Sequence, residues 1–434
     1  MKITNLFSLA ALLCLLVSCH EEPITLDSQT DDQPTELLPD NKQSSLGKTA
    51  ASYFPANTWS SGTLPNSGSY DSRIVSPQNL KFTSGQLQGP KIVVSNNPEA
   101  FYSDGWLMQT SNKGRGSSTY KLSNGKIILY LFHYNRSSNR GGKYIHVLAT
   151  NPGNSTMRIT AKGKAYTSAS KPLPAGQPGT GPSFAVADDW LRNRLTTKNS
   201  GSIGRYGAYE VAKIYVPYDK FVDGRYEISI TGEALFYVVA TSNGNTTTAI
   251  NLSQNTAASG AIARPGSNAF GRSAGIYQQS EFNGTYNVDL PSGTGHIGFC
   301  FNTTSKFDNN FQEQSPSAVM RLSDSSPRHY GDYGMEFYQR FSIRNTSSRT
   351  RRVRFYVASN NHAQNSGVRS NQLTYNGSVK LNGAIKTLWT RGDNPKIRLA
   401  EWNIPANSTF NATLEGYFPG LLTVGQQIIL ETTN

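Results

Sequence analysis

The sequence predicts an all-β protein, and three features of its composition and pattern support this. Gly (39 residues) and Pro (21 residues) punctuate the chain together with many Asn, Ser and Thr, as they do between short strands. Between these turn residues lie short runs rich in Ile, Val, Tyr and Phe, such as residues 126–132, 226–230, 234–239 and 427–430. No long window has the apolar spacing of a helix, and residues 186–192 predict only one or two helical turns.

The first residues predict that the protein is exported and lipidated. A positive charge at Lys2 is followed by an apolar stretch that begins near Leu6 and ends in a small residue, Ser18, directly before Cys19. This is the order of a bacterial lipoprotein signal, and the stretch is too short to span a bilayer. We therefore predict that residues 1–18 are a signal peptide and that lipidation of Cys19 anchors the protein in the outer membrane.

Residues 19–50 are predicted to be a disordered, acidic stem, because they hold almost no aromatic residues with which to build a core. Seven acids and no Lys or Arg lie between Cys19 and residue 40: Glu21, Glu22, Asp27, Asp31, Asp32, Glu36 and Asp40. A solvated linker is one interpretation of this segment. The pair Glu21-Glu22 also resembles the acidic export signal of Bacteroidetes surface lipoproteins, which would place the body on the cell surface. A periplasm-facing body is the open alternative.

An internal repeat predicts that the body consists of two related Ig-like β-sandwich domains. Residues 144–151 match residues 338–345, beginning with Tyr and ending with Asn in both copies. A polar turn and a second strand follow each copy, and a later strand closes at Pro217 or at Pro405.

The length of the body also favours two domains. Roughly 385 residues follow the stem, which is more than one hydrophobic core usually covers. We expect the first domain at 51–250 and the second at 251–434, joined within the Ser-, Asn- and Thr-rich residues 242–260.

The body is strongly basic. The chain contains 41 Lys and Arg and 28 Asp and Glu; without Lys2 and the seven stem acids, 40 and 21 remain, a surplus of 19 positive charges. Such a surplus favours acidic partners, namely lipopolysaccharide, anionic polysaccharide or nucleic acid. Nucleic acid is the weakest of these, because no zinc, helix-turn-helix or RNA-binding motif accompanies the charge.

The second copy of the repeat contains the most suggestive candidate binding surface. If it forms a hairpin with Phe341 and Ile343 facing the core, the other face carries Tyr338, Arg340, Arg344, Arg352, Arg354 and Tyr356. That register places Arg344 opposite Arg352, and like charges opposite one another destabilise a sheet. Either nearby acids neutralise them, or the face binds an anion. Arginine suits sulfate, carboxylate or phosphate groups, and tyrosine suits sugar faces.

Four segments resemble, in the same order, a family of secreted proteins of unknown function common in cyanobacteria. Residues 90–99 are similar to its "V-x-N-S-N-x-P-E" segment, and residues 144–152 to its "L-Y-L-G-x-L-x-x-N-P" strand. Residues 131–134 resemble "F-x-H-H", with Tyr134 in place of the second histidine. Residues 329–338 resemble "H-G-x-Y-G-x-x-Y", with one tyrosine inserted after the histidine.

The resemblance extends in patches from about residue 75 to the end, and it implies neither an activity nor catalytic residues. It implies that His133 and the box around His329, Asp332 and Glu336 are worth testing. The alternative is that the glycines of the box shape a turn and that His133 is satisfied within a sheet.

No catalytic or metal-binding constellation is predicted. The six histidines are scattered without metal-ligand spacing, and acids are sparse. We therefore expect a non-catalytic binding or structural protein without a cofactor, whose partner is an anionic glycan or an envelope protein. The alternative is a carbohydrate-active hydrolase with Asp332 or Glu336 as general acid or base, and the neighbouring Asp188 and Asp189 form the other close carboxylate pair.

Overall fold

The computed structural model describes residues 74–75, 77–96, 99–111, 120–167, 181–195, 198–261, 273–306, 309–359, 373–391, 396–420 and 425–433. Within these ranges the chain forms strands grouped in four sheets, with two α-helices, so the predicted all-β sandwich fold is confirmed. The predicted signal peptide, Cys19 and the acidic stem lie outside the described residues. None of the described helices has the length and apolar character needed to cross a membrane.

Sheets 1 and 2 form the first sandwich. Sheet 1 has the strand order β4 (Gly105–Gln109), β11 (Leu235–Thr241), β6 (Lys143–Thr150) and β9 (Ala208–Val216). Sheet 2 has the order β15 (Ala318–Arg321), β12 (Ser273–Tyr277), β2 (Lys91–Asn96), β5 (Gly125–Asn135), β10 (Phe221–Thr231), β7 (Met157–Thr167) and β8 (Lys198–Ile203), with β3 (Ala100–Phe101) also paired to β5.

Sheets 3 and 4 form the second sandwich. Sheet 3 has the order β1 (Gln86–Gln88), β13 (Glu281–Asp289), β16 (Glu336–Asn345), β21 (Ser408–Tyr417), β18 (Leu373–Leu381) and β19 (Ala384–Arg391). Sheet 4 has the order β14 (Gly295–Phe301), β22 (Gln426–Thr433), β17 (Arg351–Ser359) and β20 (Lys396–Ile404).

Sheet 2 is buried on both faces, which explains the continuous apolar run in β5. Leu129 and Leu131 belong to the core shared with sheet 1, whereas Tyr130 and Phe132 belong to the core shared with sheet 3. Alternate residues of a strand point to opposite faces, so a strand buried on both faces has no polar alternation. The two sandwiches therefore pack against each other through sheet 2.

Two asparagines occupy equivalent places in the two copies of the repeat. The Nδ2 group of Asn151 lies 2.7 to 3.2 Å from the carbonyl oxygens of Ser155, Ile203 and Gly204. The Nδ2 group of Asn345 lies 2.8 to 2.9 Å from those of Arg349, Ile404 and Pro405. Each asparagine thus ties the turn after its own strand to the end of a distant strand, β8 in one case and β20 in the other.

Six strands recur in the same arrangement in both sandwiches. The order β5-β10-β7-β8 in sheet 2 corresponds to β14-β22-β17-β20 in sheet 4, and the pair β6-β9 corresponds to β16-β21. The internal repeat is therefore a duplicated set of strands. The two proline-closed strands are not counterparts, because Pro217 follows β9 whereas Pro405 follows β20, the counterpart of β8.

Strands from both sides of the expected domain boundary at residue 250 share two of the sheets. From the first part of the chain, β1 pairs with β13 in sheet 3; from the second part, β12 pairs with β2 in sheet 2. The expected linker at 242–260 contains helix α2 (Thr246–Asn255), which packs against β11 and β4. The Asn245 side chain caps this helix by accepting a 3.1 Å hydrogen bond from the Thr248 backbone N–H.

Candidate functional site

The predicted arginine and tyrosine cluster is divided between two sheets. β16 lies in sheet 3, where Arg344 is opposite Asp289 and Thr409. β17 lies in sheet 4, where Arg352 is opposite Asn403 and Thr433. The predicted hairpin is therefore wrong, and Arg344 does not face Arg352. The two strands do not pair because the turn after Asn345 leads the chain from sheet 3 to sheet 4.

In the sheet 3 half of the cluster, an acid neutralises one of the two arginines. Arg344 makes a two-pronged ion pair with Asp289, with N–O distances of 2.6 and 2.8 Å, and both side chains are 59% exposed. Arg340 is exposed between Thr285 and Thr413, and the hydroxyl of Tyr338 donates to Glu336 at 2.5 Å. The charge of Arg344 is thus neutralised, as the first of the two sequence alternatives requires.

In the sheet 4 half, the described cations outnumber the described acids that they contact. We call its outer surface the basic face; it consists of Arg352, Arg354, Lys396 and Arg398, with Tyr356, Glu401 and Glu431 between them. Glu401 is shared by three arginines, with N–O distances of 2.8 Å to Arg354, 3.1 Å to Arg398 and 3.7 Å to Arg352. Four cations thus share two carboxylates.

Glu431 occupies the inner part of the basic face. It accepts contacts from Lys396 at 3.0 Å, from Arg354 at 3.3 Å and from the Tyr356 hydroxyl at 3.3 Å. The Lys396 ammonium also lies 4.1 Å from the centre of the Tyr356 ring, a cation–π contact. Hydrogen bonding from Arg354 lowers the pKa of Glu401 below its ordinary value. Both acids are fully engaged, while Arg352 and Arg398 remain 50% and 53% exposed.

A hollow of about 380 Å³ continues the basic face beyond β22. Exposed His296, on β14, lies opposite Glu431 in the ladder and lines this hollow together with exposed Lys81. The remaining lining is mostly apolar and includes Ile74 and Val75. The cationic surface therefore borders a concave surface.

The histidines of the predicted box are buried and hydrogen-bonded. His133 Nε2 lies 2.8 Å from Ser95 Oγ, and His329 lies between Ser273 Oγ at 3.0 Å and the Tyr333 carbonyl at 2.8 Å. Burial lowers the pKa of His329 to about 4, so the ring is neutral at pH 7. Both rings therefore make the contacts of interior histidines whose hydrogen-bonding groups are satisfied.

The two acids of the box lie in different environments. Asp332 is fully buried, its Oδ2 accepts a 3.2 Å hydrogen bond from Ser315, and burial raises its pKa well above the ordinary value. Glu336 instead lies at a cavity that is partly open to solvent, where Arg225 Nη2 approaches its Oε1 to 2.5 Å. Of the box, Glu336 therefore lines this cavity.

Helix α1 (Pro182–Leu191) forms one wall of this cavity, and its paired acids hold it in place. Asp188 accepts a 2.9 Å hydrogen bond from Ser378 of β18, while Asp189 pairs with Lys164 of β7 at 3.3 Å. Asp188 and Asp189 thus dock the helix on two different sheets.

The cavity lies between α1, sheet 2 and sheet 3 and has a volume of about 240 Å³. We call it the α1 cleft. Its lining consists of Lys162, Trp190, Leu191, Asn193, Leu195, Glu227, Glu336, Tyr338, Glu415 and Gly416. Most of these residues were not singled out from the sequence. The sequence of β10 could have indicated the site. Asp223, Arg225 and Glu227 alternate there with residues of the first core, so one face of this strand is charged.

Behind the cleft, Arg225 is fully buried and linked to two lining residues. Its guanidinium carbon lies 3.2 Å from the centre of the Trp190 ring, and its Nη2 binds Glu336. Its Nε donates to the Gly334 carbonyl at 3.1 Å. Among the described ranges, no group of three or more His, Cys, Asp or Glu side chains is arranged to hold a metal ion.

Comparisons with known proteins add no functional information. No protein-family model matches the chain, and neither does any curated protein, so the sequence resemblance stays a prediction. Among solved structures, an anti-sigma factor domain-containing protein from Clostridium clariflavum is 11% identical with a TM-score of 0.15, over 80% of this chain and 94% of that one. Tripeptidyl peptidase 2 is 9% identical with a TM-score of 0.17, over 77% of this chain and 24% of that one. These scores are too low to indicate a shared fold.

Proposed function

We propose that this chain is a lipid-anchored envelope protein that binds an anionic glycan through the basic face. One observation supports the proposal above all: Glu401 pairs with three arginines, Arg352, Arg354 and Arg398, and two of them, Arg352 and Arg398, remain 50% and 53% exposed. An exposed sheet surface with several arginines around one carboxylate attracts sulfate or carboxylate groups. The planar guanidinium groups of the arginines bind such groups in two-pronged fashion.

The position of the exposed arginines supports the same function. Arg352 and Arg398 are about half exposed, and each makes only one contact with Glu401. Among the described residues, Arg352 and Arg398 contact no other carboxylate, so a ligand can reach their remaining N–H groups. A partner that is an envelope protein with an acidic surface would use the same groups, and a scaffold without any small ligand would not need them.

The test is binding of the full-length protein to an anionic polysaccharide, with neutral dextran as the reference. Dextran sulfate and polygalacturonate serve as the two probes. The substitutions Arg352→Ala and Arg398→Ala together should weaken binding by about tenfold, because each removes one charge-assisted contact. Arg344→Ala is the matched control, since Arg344 is equally exposed but neutralised by Asp289. Equal losses in the control and the double variant would contradict the proposal.

Carbohydrate hydrolysis is the second candidate, and a specific observation favours it. Glu281 lies opposite Glu336 in the parallel ladder of sheet 3, and burial together with the Glu336 charge raises the pKa of Glu281. Two neighbouring carboxylates in different environments are the arrangement that separates a general acid from a base. Release of reducing sugar from a polysaccharide panel, abolished in Glu336→Gln, would support this candidate.

A further inference from the structure

We propose that the α1 cleft is a second binding site, which takes one uncharged sugar residue of a glycan. It is separate from the basic face, because its walls come from α1, sheet 2 and sheet 3 rather than from sheet 4. The proposal does not depend on hydrolysis.

The carboxylates of the cleft favour a ligand that donates hydrogen bonds. Glu227, Glu336 and Glu415 line it together with Lys162. Each glutamate is paired with a cation, namely Lys126, Arg225 or Lys380, so the carboxylates do not give the cleft an excess of negative charge. Their oxygens accept hydrogen bonds and do not donate them. A ligand that enters must therefore supply hydrogen-bond donors, and sugar hydroxyl groups meet this condition.

Two carboxylates of the cleft each use only one oxygen in the ion pairs of the described residues. Glu227 uses Oε1 to pair with Lys126 at 3.2 Å, and Glu415 uses Oε2 to pair with Lys380 at 3.0 Å. Within the described ranges, the other oxygen of each has no hydrogen-bond partner. These two oxygens can accept hydrogen bonds from a ligand.

The wall formed by Trp190 and Glu336 is preorganised. Arg225 contacts the Trp190 ring from behind and binds Glu336, and the Tyr338 hydroxyl holds the second oxygen of Glu336. The Nη1 group of the same arginine is buried without a partner among the described residues, which leaves an unused donor next to the cleft. A wall fixed before the ligand arrives lowers the entropic cost of binding. Aromatic rings among a few oriented polar groups are typical of small-molecule sites.

The size of the cleft limits the ligand to one ring. A volume of about 240 Å³ is below the roughly 300–1,000 Å³ of pockets that enclose a drug-sized molecule. The exposed face of sheet 3 continues from the cleft with polar side chains, among them Asn283, Thr285 and Arg340. We infer that one sugar ring enters the cleft and that the adjoining rings lie along this polar surface.

The experiment is a screen of neutral oligosaccharides against the full-length protein in detergent, with calorimetric titration of each ligand found. The probes are β-1,4-linked glucose, xylose and N-acetylglucosamine oligomers and α-1,4-linked glucose oligomers. Glu227→Gln and Glu415→Gln should each weaken binding by about tenfold or more, because a hydrogen bond to a charged group is lost. Glu401→Gln, the same change on the basic face, should leave binding unchanged.

Two results would overturn the inference: no saturable binding of any probe, or binding that both cleft variants retain at full strength. The thermal midpoint of each variant verifies that it is folded. The Arg352→Ala/Arg398→Ala protein separates this inference from the proposed function. This double variant should no longer bind the anionic polysaccharides and should still bind the neutral oligosaccharides.

Discussion

Arg225 of β10 and Glu336 of β16 form an ion pair that joins the two sandwiches. The guanidinium of Arg225 is fully buried, and Glu336 is nearly so. Burying two charges costs free energy, because both lose their contact with water. Removing one partner of such a pair leaves the other charge buried without a partner. This pair therefore fixes how sheet 2 and sheet 3 meet, and with it the geometry of the α1 cleft.

Replacing Arg225 with Met should destabilise the protein by about 3–5 kcal/mol, because the Glu336 carboxylate is left buried without its partner. Chemical unfolding in urea measures the change. The double variant Arg225→Met/Glu336→Gln removes both charges and should recover most of the loss. An Arg225→Met protein as stable as the original would show that solvent reaches Glu336 and that the pair does not join the sheets.

The substitution Asn345→Asp should destabilise the second sandwich more than Asn345→Ala. Both remove the amide donor that serves three carbonyl groups, at about 1–3 kcal/mol for each buried acceptor left unpaired. The aspartate additionally points a negative oxygen at these carbonyls. The equivalent changes at Asn151 should show the same order. Urea unfolding of the four variants gives the comparison, and an aspartate variant more stable than its alanine counterpart would contradict it.

Asp223 should make the stability of the protein fall as the pH rises. Burial raises the pKa of this carboxyl from 3.8 to about 7, so the folded state holds a proton that the unfolded state releases. Between about pH 4 and pH 7 the native state binds more protons, and stability decreases by an amount on the order of 4 kcal/mol. An asparagine side chain cannot ionise, so the Asp223→Asn protein should lack this contribution.

The measurement for Asp223 is the free energy of unfolding of both proteins at pH 5 and pH 8. The variant should gain stability relative to the original on going to pH 8, because only the original must bury a charge there. Other titrating groups, such as His329, are common to both proteins and cancel in the difference. An identical difference at the two pH values would contradict the assignment.

Cys19→Ala should release the protein from the membrane fraction, because the predicted lipid attachment is the anchor. Fractionation of cells that express the original and the variant measures this, and protease treatment of intact cells distinguishes surface exposure from a periplasm-facing body. Retention of the variant in the membrane fraction would show that the body itself binds the envelope, for which the basic face is the first candidate.

The sequence was sufficient for the fold class and for the duplication. Short β-branched and aromatic runs between Gly, Pro and Asn turns depend on local chemistry, so they predict strands without knowledge of their partners. The repeated Asn151 and Asn345 marked equivalent turns, and the structure shows the same three-carbonyl contact at both. Helix α2 was missed because its Thr- and Asn-rich sequence has no apolar periodicity, and its capping residue, Asn245, is also an ordinary turn residue.

Which strands pair was decided only in the tertiary structure. The sequence placed Arg344 opposite Arg352 because two strands joined by a short turn usually pair, yet here the turn crosses the sandwich and the arginines lie on different sheets. The basic face therefore includes Lys396 and Arg398 of β20, which are about 40 positions from β17. The α1 cleft combines residues from β7, α1, β10, β16 and β21. Alternation along a strand determines which side chains share a face, whereas long-range packing of the sheets determines what that face meets.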